Sequence, residues 1–297
     1  MNHNFEEIYK RYQVLEMEAQ EVREKDKIII RNLFGNFYNK NLNIGLGFQR
    51  AYGSVLSGDY FELFELPGKM YLFVFADISG HGLPAYTTLV RLRSALNLSI
   101  LDCRDRNPDR LSDKTGLISD IVKKFTDIME CSGANDFASI IFTFIENRDD
   151  KYYLTFYNRG MHFPFVVRKF NGEFKDLYDL NINEKGWEPI KGHLVGPEIR
   201  SLLAGRYENF PSCEFIIYEG DSILFFSDGI VEACVQNNGP SVEFGYERLK
   251  NSLIENIDLM PQAVINHIFE EVYLHIQNQS NQTDDMTAVL IDFPVVR

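Results

Sequence analysis

Hydrophobic residues recur along this chain with two different periods. Over residues 1 to about 33 the spacing is that of a heptad. With position a at Phe5, Tyr12, Ala19, Asp26 and Leu33, position d falls on Ile8, Leu15, Val22 and Ile29. Eight of these nine seam positions are apolar or aromatic and the rest of the stretch is largely charged. That is the pattern of a helix that pairs with another helix. Two arrangements fit it. One is a dimerising coiled coil through residues 1–33, with Asp26 weakening the seam and setting its register. The other is an amphipathic helix lying on its own domain.

From about residue 42 the pattern turns strand-like. "NIGLGFQRAYG" and "DYFELFEL" alternate or run apolar, and "KMYLFVFADIS" is continuously apolar, as in a strand covered on both faces. "LPAYTTLVRLRSALNLSI", with Pro84 in its first turn, and "GLISDIVKKFTDIMECS" read as helices. "DFASIIFTFIEN" and "KYYLTFYNRG" predict a hairpin around "RDD", and "HFPFVVRKF" continues as a meander. Residues 171–212 are punctuated by Gly172, Gly186, Pro189, Gly192, Gly196, Pro197 and Pro211. They predict a long loop with short pieces of structure. A strand, a turn at Glu219-Gly220-Asp221 and a second strand follow. Helices are expected over about 229–234, 246–255 and 261–276, and "DDMTAVLIDFPV" closes as a strand. Consecutive strands with helix pairs inserted predict an α+β fold of packed sheets with helices outside. The expected organisation is a helix over 1–35 and one domain over 42–297.

Composition narrows the function. With 30 basic and 43 acidic residues the net charge is −13. Nucleic-acid binding depends on clustered Lys and Arg, so neither nucleic acid nor an anionic membrane surface is an expected partner. Cys103, Cys131, Cys213 and Cys234 are scattered, without a C-x-x-C pair, so zinc of the common spacing is not indicated. No apolar run reaches the roughly 18 residues of a membrane span. The start "MNHNFEEIYK" lacks the features of a secretory signal. A cytoplasmic protein is the expectation.

Candidate chemistry lies in acids at strand ends. Asp59 opens the strand of "LSGDYFELF", Asp77 ends that of "LFVFADISG", Asp228 ends that of "ILFFSDGIVEA", and Asp284 and Asp285 precede the last strand. Any one of them alone reads as a turn or a helix cap; Asp221, in "EGDS", reads as a turn residue only. As a set they repel, by roughly 4 kcal/mol for a pair at about 4 Å and an effective dielectric near 20. Divalent cations relieve that cost. Mg²⁺ and Mn²⁺ take oxygen ligands, and two such ions can share and acidify a water and clamp a phosphoryl group.

The same strings resemble the metal-dependent PPM (PP2C-type) phosphatases, specifically the bacterial SpoIIE/RsbU branch. "SVLSGDYFEL" is similar to that family's Gly-Gly-Asp motif, with Ser57 for the first glycine. "FADISGHGLPA", "EGDSILFFSDGIVEA", "EFGYERL" and "TDDMTAVLI" resemble its later motifs, in order, from about residue 44 to 293. The resemblance implies a central β-sandwich flanked by helices, with two Mn²⁺ or Mg²⁺ ions at one rim. Asp59 and Asp77 would be the shared ligands, the Ile78 carbonyl would complete one site, and Asp228 and Asp284 would bind from the far side. Asp285 is the weaker candidate of its pair. It further implies a serine/threonine phosphatase using activated water, with a phosphorylated anti-sigma-factor antagonist or similar signalling protein as substrate. A phosphatase fold that binds a partner without turnover is the alternative.

His81 fits two roles, general acid or surface histidine. His162, His193, His267 and His275 are assigned structural or surface roles, and Arg91 and Arg93 are expected to face solvent. "NRGMHFP", Asn158 to Pro164, departs from the family's Asn-Ala-Gly-His-x-Pro, so its local packing is expected to differ. Residues 171–212 fit either a substrate-selecting flap or a tolerated insertion.

Overall fold

Strand parity organises this structure, because alternate residues of each strand feed different cores. The computed structural model describes residues 42–293, except 55, 69, 107–112, 149–150, 171–172, 183–189, 204–206, 236–240 and 278–280. The heptad stretch over residues 1–33 lies outside the described residues. The strands are β1 (Asn43–Gln49), β2 (Tyr60–Leu66), β3 (Met70–Ile78), β4 (Ala138–Arg148), β5 (Lys151–Arg159), β6 (Phe165–Phe170), β7 (Glu173–Asp179), β8 (Lys191–Gly192), β9 (Cys213–Tyr218), β10 (Ser222–Phe226) and β11 (Met286–Asp292). The helices are α1 (Gly82–Arg106), α2 (Lys114–Cys131), α3 (Pro197–Leu203), α4 (Asp228–Val231), α5 (Gly245–Asn256) and α6 (Pro261–Ile276).

The strands form two sheets. One has the order β1-β11-β10-β6-β7. The other has the order β2-β3-β4-β5-β8, with β9 also pairing β5. On β3, Phe73 and Phe75 point between the sheets, against Phe225 and Val289, while Leu72, Val74, Ala76 and Ile78 pack under α1 and α2. On β10, Ile223 and Phe225 face the inter-sheet core, and Leu224 and Phe226 face α4–α6. The result is four layers: helix pair, sheet, sheet, helices. Both faces of β3 are covered, which explains its unbroken apolar run. Each buried phenylalanine contributes roughly 1.5–3 kcal/mol of apolar burial.

Helix α6 carries Val264, Ile265, Ile268, Phe269, Val272 and Ile276 on its buried stripe. It lies so close to β1 that a Cβ at Gly45 would stand 2.3 Å from the Pro261 carbonyl carbon. Asp113 caps α2 by accepting the Gly116 amide at 3.0 Å.

One expectation changes. The segment "HFPFVVRKF" does not continue the meander. Gly160, at φ +95°, turns the chain out of the sheet, Met161 and Phe163 bury between the layers, and β6 joins β10 in the other sheet. The short pieces of structure expected within 171–212 are β7, β8 and α3 among the described residues. β7 pairs along β6 with one register shift, at Arg168/Lys169, and Val195 bridges Ala138.

Candidate active site

The parity that builds the core also delivers the acids. Asp77 continues the row of Phe73 and Phe75, and Asp59 that of Phe61, both on the inter-sheet face. Tyr60 pairs with Ala76, so the same register carries Asp59 abreast of Asp77. From the other sheet, Asp228 follows β10, and Asp284 and Asp285 precede β11. Five carboxylates therefore gather at one end of the inter-sheet layer.

Little surrounds them to balance their charge. Burial first, then Asp228, Asp284, Asp285 and Glu232, push the Asp77 carboxyl up to about 8. Asp59, only 5% exposed, is raised well above the usual carboxylate range by burial and by Asp77, against hydrogen bonds from Thr287 and Ser227. Asp284 lies at the solvent edge, yet the protein around it raises its pKa, with Asp228 and Asp285 adding to the rise and His81 opposing it. Glu232 is raised by burial and then by Asp228.

Asp285 has different work from its neighbour. It is buried, and its two oxygens accept the Ala51 and Gly58 amides, each at 2.8 Å. It thereby fixes the turn that presents Asp59. That turn needs glycine at 58, because a Cβ there would meet the Ile78 carbonyl oxygen at 2.9 Å and the Gly80 oxygen at 3.1 Å. The Ile78 amide closes the same corner on the Gly58 carbonyl at 3.3 Å. Gly229 holds α4 against the acidic loop; its Cβ would lie 2.0 Å from the Asp285 carbonyl oxygen. Gly80 and Gly82, at φ +80° and +73°, turn the chain from β3 into α1.

His81 is exposed, with Nδ1 3.0 Å from the Ser54 hydroxyl. His162 is half-buried, stacks on Phe226 and shares a hydrogen bond with Tyr246. His275 reaches the Val242 carbonyl and His267 lies beside Glu270. Arg93 does not face solvent freely: its Nε stands 3.4 Å from Glu62, which also accepts the Tyr60 hydroxyl. Asp221 is a turn residue with a larger part. It is fully buried, pairs with Arg168 at 2.7 Å, and accepts the Tyr218 and Lys169 amides, each at 3.0 Å. Sequence reasoning passed over Asp285 as a brace, Thr287, and the His162–Tyr246 pair. The first two stand inside the closing motif, but their partners Ala51, Gly58 and Asp59 are more than 220 residues away and only the fold reveals them.

The donor set fits hard divalent cations: oxygen ligands, no thiol, and a mutual repulsion that a cation would relieve. Among the described residues, no three acidic, histidine or cysteine side chains stand close enough to form a ready-made cage. Mg²⁺-type sites use one or two carboxylates with several waters and require no such cage.

A family model described as stage II sporulation protein E (SpoIIE) matches residues 67–294. No curated protein sequence matches the chain significantly. Among solved structures, the chain is similar to the SiaA PP2C domain of Pseudomonas aeruginosa, with a TM-score of 0.61 and 15% identity, covering 84% of this chain and 85% of that one. It is similar to the PP2C phosphatase domain of SpoIIE from Bacillus subtilis, solved with a fragment of its regulatory domain, at TM-score 0.55 and 18% identity, covering 86% and 64%. It also resembles the RsbU and RsbW domains of Rv1364c from Mycobacterium tuberculosis, at TM-score 0.53 and 16% identity, covering 86% and 61%. The chain thus spans less than two thirds of the last two.

Proposed function

This chain belongs to the SpoIIE family and carries its PP2C-type phosphatase fold, and from that premise we propose that it is a metal-dependent protein serine/threonine phosphatase. The observation that carries the reading is the gathering of Asp59, Asp77, Asp228 and Asp284 at one rim, with acids dominating the charges that act on Asp77. A binding module has no need to keep so repulsive a cluster.

Asp59, Asp77, the Ile78 carbonyl, Asp228 and Asp284 would hold two Mn²⁺ or Mg²⁺ ions. When bound, such ions supply an acidified water for in-line attack and neutralise charge on the phosphoryl group. The chain's own residues do the rest. Asp285 fixes the Gly58 turn, and Thr287 orients the Asp59 carboxylate. His81, beside Ser54 on the Asp284 side, would be the group that protonates a leaving serine or threonine oxygen. The substrate we infer is a phosphorylated signalling protein of the anti-sigma-factor-antagonist type, dephosphorylated in the cytoplasm by a dimer joined through residues 1–33.

The second reading is a phosphatase fold that binds a partner without turnover. Hydrolysis of p-nitrophenyl phosphate and of a phosphoserine peptide separates the two, measured with Mn²⁺, Mg²⁺ or EDTA on the wild type and on Asp228→Asn. Turnover that needs metal and is lost in Asp228→Asn is expected. A folded wild type without turnover under any metal favours the second reading.

A further inference from the structure

The turn between β5 and β6 brings a basic and aromatic cluster to the Asp228 side of the rim. β6 runs antiparallel to β10 with Phe165 opposite Leu224. Extending that register sets His162 abreast of Ser227, next to Asp228. The ring contacts agree. His162 stacks on Phe226 with centroids 5.8 Å apart and planes 9° from parallel, and its Nδ1 lies 2.9 Å from the Tyr246 hydroxyl. The imidazole is held from two sides.

Lys191 reaches the same corner from the segment that follows β7. It pairs with Asn158 where β8 lies parallel to β5, and its Nζ lies 6.0 Å from the centre of the Phe163 ring. Burial and Lys191 lower the pKa of His162, while Asp228 and Asp179 raise it, so the lysine and both acids lie near enough to act on the ring. Lys191 is exposed at its surface, yet enough protein surrounds its ammonium to lower its pKa. Among the described residues no carboxylate offsets that burial. The other basic side chains nearby are committed elsewhere: Arg168 to Asp221 and Lys250 to Asp179 and Glu247.

A phosphate monoester brings two negative charges to a chain of net charge −13. Cations held by the carboxylates would be largely neutralised by them, which leaves the outer phosphoryl oxygens in need of a further positive group. A lysine is a compact point charge suited to that contact. We propose that Lys191 grips the substrate's phosphoryl oxygens on the Asp228 side of the rim, with the His162 imidazole as the fixed polar wall beside it. This assignment rests on the phosphatase reading.

The test uses the full chain as wild type, Lys191→Gln and Lys191→Arg, with equal thermal melts as the check that each variant folds. In hydrolysis of p-nitrophenyl phosphate with Mn²⁺, Lys191→Gln raises KM, and the inhibition constant of inorganic phosphate, about tenfold, the scale of one lost contact to a charged group. Its kcat stays within about twofold, and Lys191→Arg recovers most of the loss. Calorimetric titration of the Mn²⁺-loaded protein with inorganic phosphate gives a readout independent of turnover. Binding about tenfold weaker in Lys191→Gln supports the assignment. No binding by the wild type, or equal binding by Lys191→Gln, overturns it. Phosphate binding that depends on Lys191 in a protein that turns over neither substrate overturns the catalytic reading and leaves Lys191 as the phosphate grip.

Discussion

Thr287 on β11 donates a 2.6 Å hydrogen bond from Oγ1 to Asp59 Oδ2 at the head of β2. The bond joins the two sheets at the rim where the acids gather. Thr287 is itself fixed, since its amide donates to Ser227 Oγ at 2.9 Å and its carbonyl accepts the Ser227 amide at 2.9 Å. The strand pair that delivers Asp228 therefore also orients Asp59, which arrives from the opposite sheet.

Thr287→Val keeps the shape of this fully buried residue and removes the donor. Asp59 is then left buried with one fewer hydrogen bond, at a cost of about 1–3 kcal/mol. Urea denaturation in EDTA measures that loss. The Mn²⁺ concentration for half-maximal turnover should rise as well, because the carboxylate loses its fixed orientation. A variant as stable as the wild type would show that the bond carries no weight.

The pH dependence of the metal-free protein follows from Asp77. Its carboxyl is raised to about 8, against about 3.9 in an unfolded chain. Between those values the folded protein binds more protons than the unfolded one, so stability falls as pH rises from about 4 towards 8. Asp59 and Asp284 shift in the same direction. Asp179, held low by Lys250 and Asn181 against its burial, is ionised across this window and does not offset them. Thermal melts in EDTA should decline steadily from pH 5 to pH 8. Added Mn²⁺ should raise the melting temperature more at pH 8 than at pH 5. A flat profile in EDTA would mean that burial and the neighbouring acids do not raise these carboxyls in the folded protein.

The pattern of the sequence carried the four layers and the acids, because each acid stands at the end of an apolar run beside Gly, Ser or Thr. The parity that turns Asp59 and Asp77 inward can be read from Phe61, Phe73 and Phe75. The work of Asp285 cannot, since its partners at Ala51 and Gly58 are distant in the chain. β7 was hidden because "EFKDLYD" is mostly polar and only its pairing with β6 makes it a strand. Lys191 and His162 are 29 positions apart in the sequence and come to one corner through the pairing of β8 with β5.

The adjacent acids Asp284 and Asp285 should separate by phenotype. Asp285→Asn places an amide group against one of two buried backbone donors, which costs about 1–3 kcal/mol. Among the described residues the Asp284 carboxylate accepts the neighbouring Asp285 amide alone, at 2.8 Å, so Asp284→Asn should change stability by less than about 0.5 kcal/mol. Turnover should respond the other way: Asp284→Asn loses most metal-dependent activity, while folded Asp285→Asn keeps a measurable part. Equal melting and equal activity in the two variants would contradict this division.

Arg159 poses the last question, whether a buried cation stabilises through its charge or its bulk. It is 1% exposed, and its guanidinium lies between the Tyr207 and Phe210 rings, 5.1 Å from each centroid. One nitrogen donates to the Asn209 carbonyl at 3.0 Å, while Nε and the second terminal nitrogen have no hydrogen-bond partner among the described residues. Burial accordingly lowers its pKa. A buried charge so poorly bonded contributes little net stability, and an apolar side chain of similar length is tolerated at such sites. Its methylenes still fill space, with Cδ against Gly192. Arg159→Met should therefore fall within about 1 kcal/mol of the wild type, and Arg159→Ala should lose about 3 kcal/mol through the cavity it leaves. Urea melts of both variants decide the matter: equal, large losses would assign the stability to the charge, and a loss confined to alanine assigns it to packing between the two rings.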